Sequence, residues 1–121
     1  MANHGFGDLV QKQRDNIHQF EVTHLTVNTS RNEVKRAKEL QISYEDGWGL
    51  PVGKNQDERD KWTRKKQGDD FGWKAAEAEV TNAASIIAEN EGRREALKYT
   101  IRLAERELDY AIAEKKGVNN D

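Results

Sequence analysis

From Trp73 to Ala111 one register runs without a break at alternating spacings of three and four: Trp73, Ala76, Val80, Ala83, Ile87, Asn90, Arg94, Leu97, Ile101, Ala104, Leu108 and Ala111. Every member is apolar except Asn90 and Arg94. Such an a/d heptad pattern specifies a long α-helix whose apolar edge needs a second helix beside it. The rest of the sequence is read from that requirement.

A chain of 121 residues carries a prior of one domain. Charged residues make up 35% and hydrophobic ones 35%, with a single Pro. Those proportions fit long helices better than a compact α/β core, so burial has to come from seams between helices or between copies. The net charge of -2 (20 basic against 22 acidic residues) leaves nucleic-acid binding to a local patch, if anywhere. With no Cys there is neither a disulfide nor a thiolate metal site. The opening Met1-Ala2-Asn3-His4-Gly5-Phe6-Gly7-Asp8 holds no apolar stretch typical of a secretory signal, and nowhere is there a run long enough to span a membrane. The expectation is a protein of the host-cell cytoplasm with no membrane partner.

In chain order, residues 1–7 are expected to fray. Asp8 with Gln11 predicts a capping box opening a first helix over about 9–44. Its apolar positions are Val10, Ile17, Phe20, Val27, Val34, Ala37 and Tyr44, with Gln13, His24 and Arg31 between them in strict register. Val22–Thr29 is β-branched and a poor helix former, and Ser30 with Glu33 offers a second cap. A continuous or kinked helix is the expectation there, a strand the second reading. Gly47, Gly49, Pro51 and Gly53 predict a connector over 45–54. Asn55 with Glu58 caps a short helix over about 56–67, which Gly68 ends. Asp69 or Asp70 then caps the long helix, about 70–116, and Lys115-Lys116-Gly117 is its expected stop. Residues 118–121 read as a tail.

The fold class expected is therefore all-α: an antiparallel long-helix hairpin with a short third helix at the connector end. At about 1.5 Å per residue each long helix reaches on the order of 55–70 Å. Setting Tyr44 opposite Trp73 makes paired residue numbers sum to about 117. His24 then meets Arg94 and Asn90 falls at the same height, so the polar interruptions of both seams form one register layer: His24, Asn90 and Arg94. A ligand or anion site at that height is the sharper alternative. Gly92, beside the layer, costs roughly 1 kcal/mol relative to Ala and marks either a kink or the close approach of another backbone. Ile86, Tyr99, Leu103, Tyr110 and Ile112 lie off the seam. They predict self-association, most simply a homodimer forming a four-helix bundle, or docking of a different protein.

No catalytic site is found. His18-x-x-Glu21-x-x-His24 places its two His on opposite sides of a helix, so no metal is expected. Gly47-x-Gly49 lacks the strand and helix start that a phosphate loop requires, and no cofactor is expected. Asn28-Thr29-Ser30 matches a glycosylation sequon, disregarded without a secretory signal. Lys61, Trp62, Arg64, Lys65 and Lys66 form the one basic cluster containing an aromatic, suited to phosphate contacts with base stacking. Asp57, Glu58, Asp60, Asp69 and Asp70 counter its field. Trp48, Trp62, Phe71 and Trp73 gather at the connector. They read as a small aromatic core or, in part, as a contact surface for a protein partner, since Trp is enriched in interface hot spots. The partner-binding candidates are Trp48, Trp62, Trp73, Tyr99, Leu103 and Tyr110.

Gly53-Lys54-Asn55-Gln56-Asp57-Glu58-Arg59, followed by a short basic helix and an Ala/Glu/Arg-rich one, resembles a turn of small phage-encoded helical-hairpin (coiled-coil) accessory proteins. The resemblance covers residues 53–115 and departs from the family at Trp62 and Phe71-Gly72-Trp73. It implies a phage or mobile-element accessory protein, either an inhibitor of a host defence complex or a helper of recombination and DNA metabolism, and it carries over no catalytic residue. The expected function is a non-enzymatic interaction protein that self-associates and docks on a protein partner. The alternatives are a nucleic-acid-binding accessory using the 61–66 cluster and a structural component of a larger particle.

Overall fold

The computed structural model describes residues 5–119, and over them the chain is all-α, with no strand. Three helices follow in order: α1 (Phe6–Trp48), α2 (Gln56–Asp69) and α3 (Phe71–Asn119). Residues 1–4 and 120–121, the outer parts of the expected frayed end and tail, lie outside the described residues. No helix among the described residues is long and apolar enough to cross a membrane.

The chain divides into two compact units, Asn28–Ala88 and the pair of segments Met1–Val27 with Glu89–Asp121. Within each, α1 runs antiparallel to α3. In the 28–88 unit Gln41 Nε2 donates to Glu77 Oε2 at 2.6 Å and Trp73 Nε1 to Glu45 Oε1 at 3.1 Å. In the other unit Arg94 Nη1 donates to His24 Nδ1 at 3.3 Å and Gln13 Nε2 to the Ile101 carbonyl at 3.1 Å. Three of these four pairs sum to 118 and one to 114, close to the register expected from the two seams.

The α3 seam is the predicted one. Ala76, Ala83 and Ala104 are buried and the other nine members half-buried. The α1 seam needs correction. Gln13, Phe20, Val27, Val34 and Gln41 hold one position of each heptad, but the other belongs to Asn16, Thr23, Ser30 and Ala37. Ile17, His24 and Arg31, placed there from the apolar pattern, are exposed. The reason is volume. At a pairing sum of about 117 the small Thr23, Ser30 and Ala37 stand opposite the larger Arg94, Ile87 and Val80, while Gln13, Val34 and Gln41 stand opposite Ala104, Ala83 and Ala76, so these layers set small against large. The hydroxyl of Thr23 costs little because it donates to the Gln19 carbonyl of its own helix at 2.7 Å.

Segment 22–29 is helical throughout, since tertiary burial of Thr23 and Val27 outweighs weak propensity; Val27 is the largest fully buried side chain. Ser30 therefore sits within the helix and caps nothing. At the amino end of α1 the Gly5 carbonyl accepts from Asp8 N at 3.0 Å and Leu9 N at 3.2 Å, so Asp8 lies in the first turn and is not the cap. Gly117 does not stop α3, which runs on to Asn119. The predicted Asn55–Glu58 cap is present, with Asn55 Oδ1 accepting from Glu58 N at 2.9 Å. Gly68 lies inside the last turn of α2, and Asp70 N closes that helix on the Lys66 carbonyl at 3.0 Å.

Candidate functional site

The junction of α2 and α3 with the end of α1, all within the 28–88 unit, is built around one carboxylate. Asp70 is the N-cap of α3: its Oδ1 accepts from Trp73 N at 3.0 Å while its Oδ2 accepts from Trp48 Nε1 at 2.7 Å. One side chain thus closes a helix end and ties α1 to it. The Trp73 amide, the Trp48 indole and the Gly72 amide all stabilise the anion, and they hold the Asp70 carboxyl below its ordinary value against a smaller opposing effect of burial. The two indoles meet at 6.3 Å between centroids with a 47° tilt, within the distance range of aromatic contacts. Trp73 reaches back to Glu45 as described above.

Glycine is required at one point of this junction: a Cβ on Gly53 would strike Glu58 and the backbone of Arg59, whereas one on Gly72 would meet only the outer end of the Tyr44 ring, a side chain exposed enough to turn aside. Tight backbone approach is therefore a condition of the junction. Gly49, at φ 83°, ends α1 in a conformation L side chains rarely adopt.

Beside this rigid frame large apolar side chains face solvent. Leu50, two residues after Trp48, is 87% exposed, Val52 67% and Phe71 83%. A shallow groove beside Phe71 is lined by Trp48, Lys66, Asp69, Asp70, Phe71 and Gly72. Phe71 is thus no part of an aromatic core. Trp62 lies half-buried on α2 with the Lys66 ammonium 5.4 Å from its ring centroid. That cation covers a ring which the nucleic-acid reading keeps for a base. Lys61, Arg64 and Lys65 are exposed on the same helix, where Arg64 Nε also donates to the Asp60 carbonyl at 3.4 Å.

Of the other sequence-derived candidates, Tyr99, Leu103 and Tyr110 are exposed on α3 within the other unit, apart in sequence from the connector. The register layer is present in part. His24 and Arg94 touch, and Asn90 and Arg94 are half-buried, but His24 is exposed and Arg94 Nε is buried without a hydrogen-bond partner. This is a contact across the edge of the seam, with Thr23 holding the seam position beside it. The sequence points to Asp70 as a cap and as one of the acids countering the 61–66 cluster. Its role as a hub had one legible signal, an Asp three residues before a Trp at a helix start; the Trp48 bond had none. Comparison with family models, curated proteins and solved structures gives no match for this chain.

Proposed function

We propose that this chain is a non-enzymatic interaction protein that docks on a protein partner through the α1–α2 connector and the start of α3. The observation that carries the reading is the exposure of Leu50, Val52 and Phe71 around a frame locked by the Asp70–Trp48 and Asp70–Trp73 bonds. Large apolar groups on a pre-ordered frame lose little entropy on binding, which is what an interface anchor requires. Lys66 and Asp69 rim the groove with both signs of charge, suited to orienting a partner. Blockade of a host defence complex is the concrete version, supported by the phage-like turn at residues 53–59.

The test is capture from host lysate by the wild-type chain, Leu50→Asp and Phe71→Asp side by side. The expected result is one stoichiometric partner on the wild type, lost from both variants while far-ultraviolet circular dichroism stays helical. Identical capture by all three overturns the reading.

A further inference from the structure

Within the unit formed by Met1–Val27 and Glu89–Asp121, an open groove of about 580 Å³ lies on one flank of the α1–α3 pair. That volume is within the range of small-molecule sites. Its floor is Val22, Ala96 and Leu97 together with Thr23 and Thr100. Ala96 stands opposite Val22 at a pairing sum of 118, and its single methyl leaves the flank unfilled. Both threonine hydroxyls donate to carbonyls of their own helices, Thr23 to Gln19 at 2.7 Å and Thr100 to Ala96 at 3.0 Å. The floor therefore keeps no free side-chain donor, although two of its residues are polar by name. Donors stand only at the rims, His18 and Gln19 on α1 and Arg93 on α3.

We propose that this groove binds a small amphipathic carboxylate, with its anionic head at Arg93 and its apolar body on the Val22–Ala96–Leu97 floor, pointing towards His18. Charge selects the ligand. The connector groove sets Lys66 beside Asp69 and Asp70, and a groove near the start of α3 sets Lys74 beside Glu77. The groove between α1 and α3 has Arg93 and His18 in its walls and no acidic residue. Its nearest acids are engaged outside it: Asp15 accepts from Gln11 Nε2 at 3.0 Å, and Glu89 Oε1 accepts from Arg93 Nη2 at 3.1 Å. The second of these is an exposed pair, 65% and 63%, of the kind that contributes little. It also uses one nitrogen of a guanidinium that carries five N–H groups, so a second carboxylate finds donors there. Length follows from the helices. At a sum of 118 His18 stands at the height of residue 100, seven residues from Arg93, a span of about 10 Å. A floor of that length bounded by polar groups suits a short chain or ring system better than a helix passing through.

The site is independent of the connector surface, and the experiment separates the two. Decanoate, kept below its micelle-forming concentration, is titrated into the full chain, and backbone amide shifts locate it. Decyltrimethylammonium, with the same chain length and the opposite charge, is titrated in parallel. Expected are shifts confined to residues 18–23 and 93–100 with decanoate and none with the cation. Binding should vanish in Ala96→Glu, whose carboxylate lies on the floor of the groove at an exposed helical position. In Arg93→Gln it should weaken by up to about fivefold, the scale of one exposed ion pair. Far-ultraviolet circular dichroism checks that both variants stay helical. Equal response to both detergents, shifts centred on residues 48–72, binding that survives Ala96→Glu, or no binding at all overturns the proposal. Sedimentation reads the other occupant: a dimer that Ala96→Glu breaks gives the groove to a second copy and overturns it as well.

Discussion

The two units are cut from the same pair of helices yet are held by different means. In the 28–88 unit, directional bonds from two indoles converge on carboxylates: Trp48 on Asp70 and Trp73 on Glu45, with Gln41 on Glu77 further along. In the other unit the cross-helix bonds include one amide on a backbone carbonyl, Gln13 to Ile101, and one exposed-edge contact, Arg94 to His24, that leaves Arg94 Nε unsatisfied. A groove lined by His18, Val22, Arg93, Ala96 and Thr100 stays open there. The same heptad rule thus yields a locked region and a loosely covered one. What differs is which side chains stand at the seam's edge, and where apolar groups are left facing out.

The glycines give the sharpest way to break this comparison. Gly53→Val drives side-chain atoms into the backbone of Glu58 and Arg59 and is expected to cost about 3 kcal/mol, the upper range for overpacking. Chemical denaturation followed by Trp fluorescence measures it, and all three tryptophans lie in the 28–88 unit. An unchanged midpoint would mean that the junction is not tight. Next is Val27→Ala, which removes two methylene equivalents from the largest fully buried side chain among the described residues, a loss of about 2 kcal/mol. Circular dichroism reads both units and fluorescence only one; separation of the two melting curves in this variant would show that the units unfold independently.

Smaller effects sharpen the contrast. Trp73→Phe keeps one aromatic ring but loses the pyrrole ring with its N–H and so the bond to Glu45, for a loss of at least about 1 kcal/mol in the same fluorescence assay. Gly92→Ala has the opposite sign: with open space around it, the change should raise helix stability by up to about 1 kcal/mol in solutions dilute enough to keep copies apart. A loss of stability there would contradict the open face. The smallest expected effect is on pH. Because the native Asp70 carboxyl titrates below its ordinary value, the stability it contributes is complete above the ordinary Asp range. It is lost as pH falls through the lowered native value. An acid titration of Trp fluorescence should show this loss in the wild type and not in Asp70→Asn.

Much of the helix plan was legible because heptad spacing and caps are local signals. The α3 seam and the Asn55 cap lie where the spacing put them, and the pairing of His24 with Arg94 followed from aligning two patterns. The α1 seam was misassigned at Ile17, His24 and Arg31 because apolar character was the signal used. Opposite large α3 residues such as Arg94 and Ile87, fit is decided by volume, and the small Thr23 and Ser30 satisfy it. Of the candidate site, the aromatic cluster could be read as a cluster. That Phe71 and Leu50 face out while Trp48 and Trp73 turn in could not, since the choice depends on which rings find a carboxylate across the chain.

The sequence by itself determined that this protein is helical, the register in which its long helices pair and the caps at Asn55 and Asp70, because spacing, propensity and capping act within a few residues of one another. Only tertiary structure decided which α1 residues enter the seam, that Asp70 gathers two indole-bearing residues, and which apolar groups are left in solvent. Those outcomes depend on distance between residues far apart in sequence, such as Trp48 and Asp70, and on the volume a partner helix leaves free.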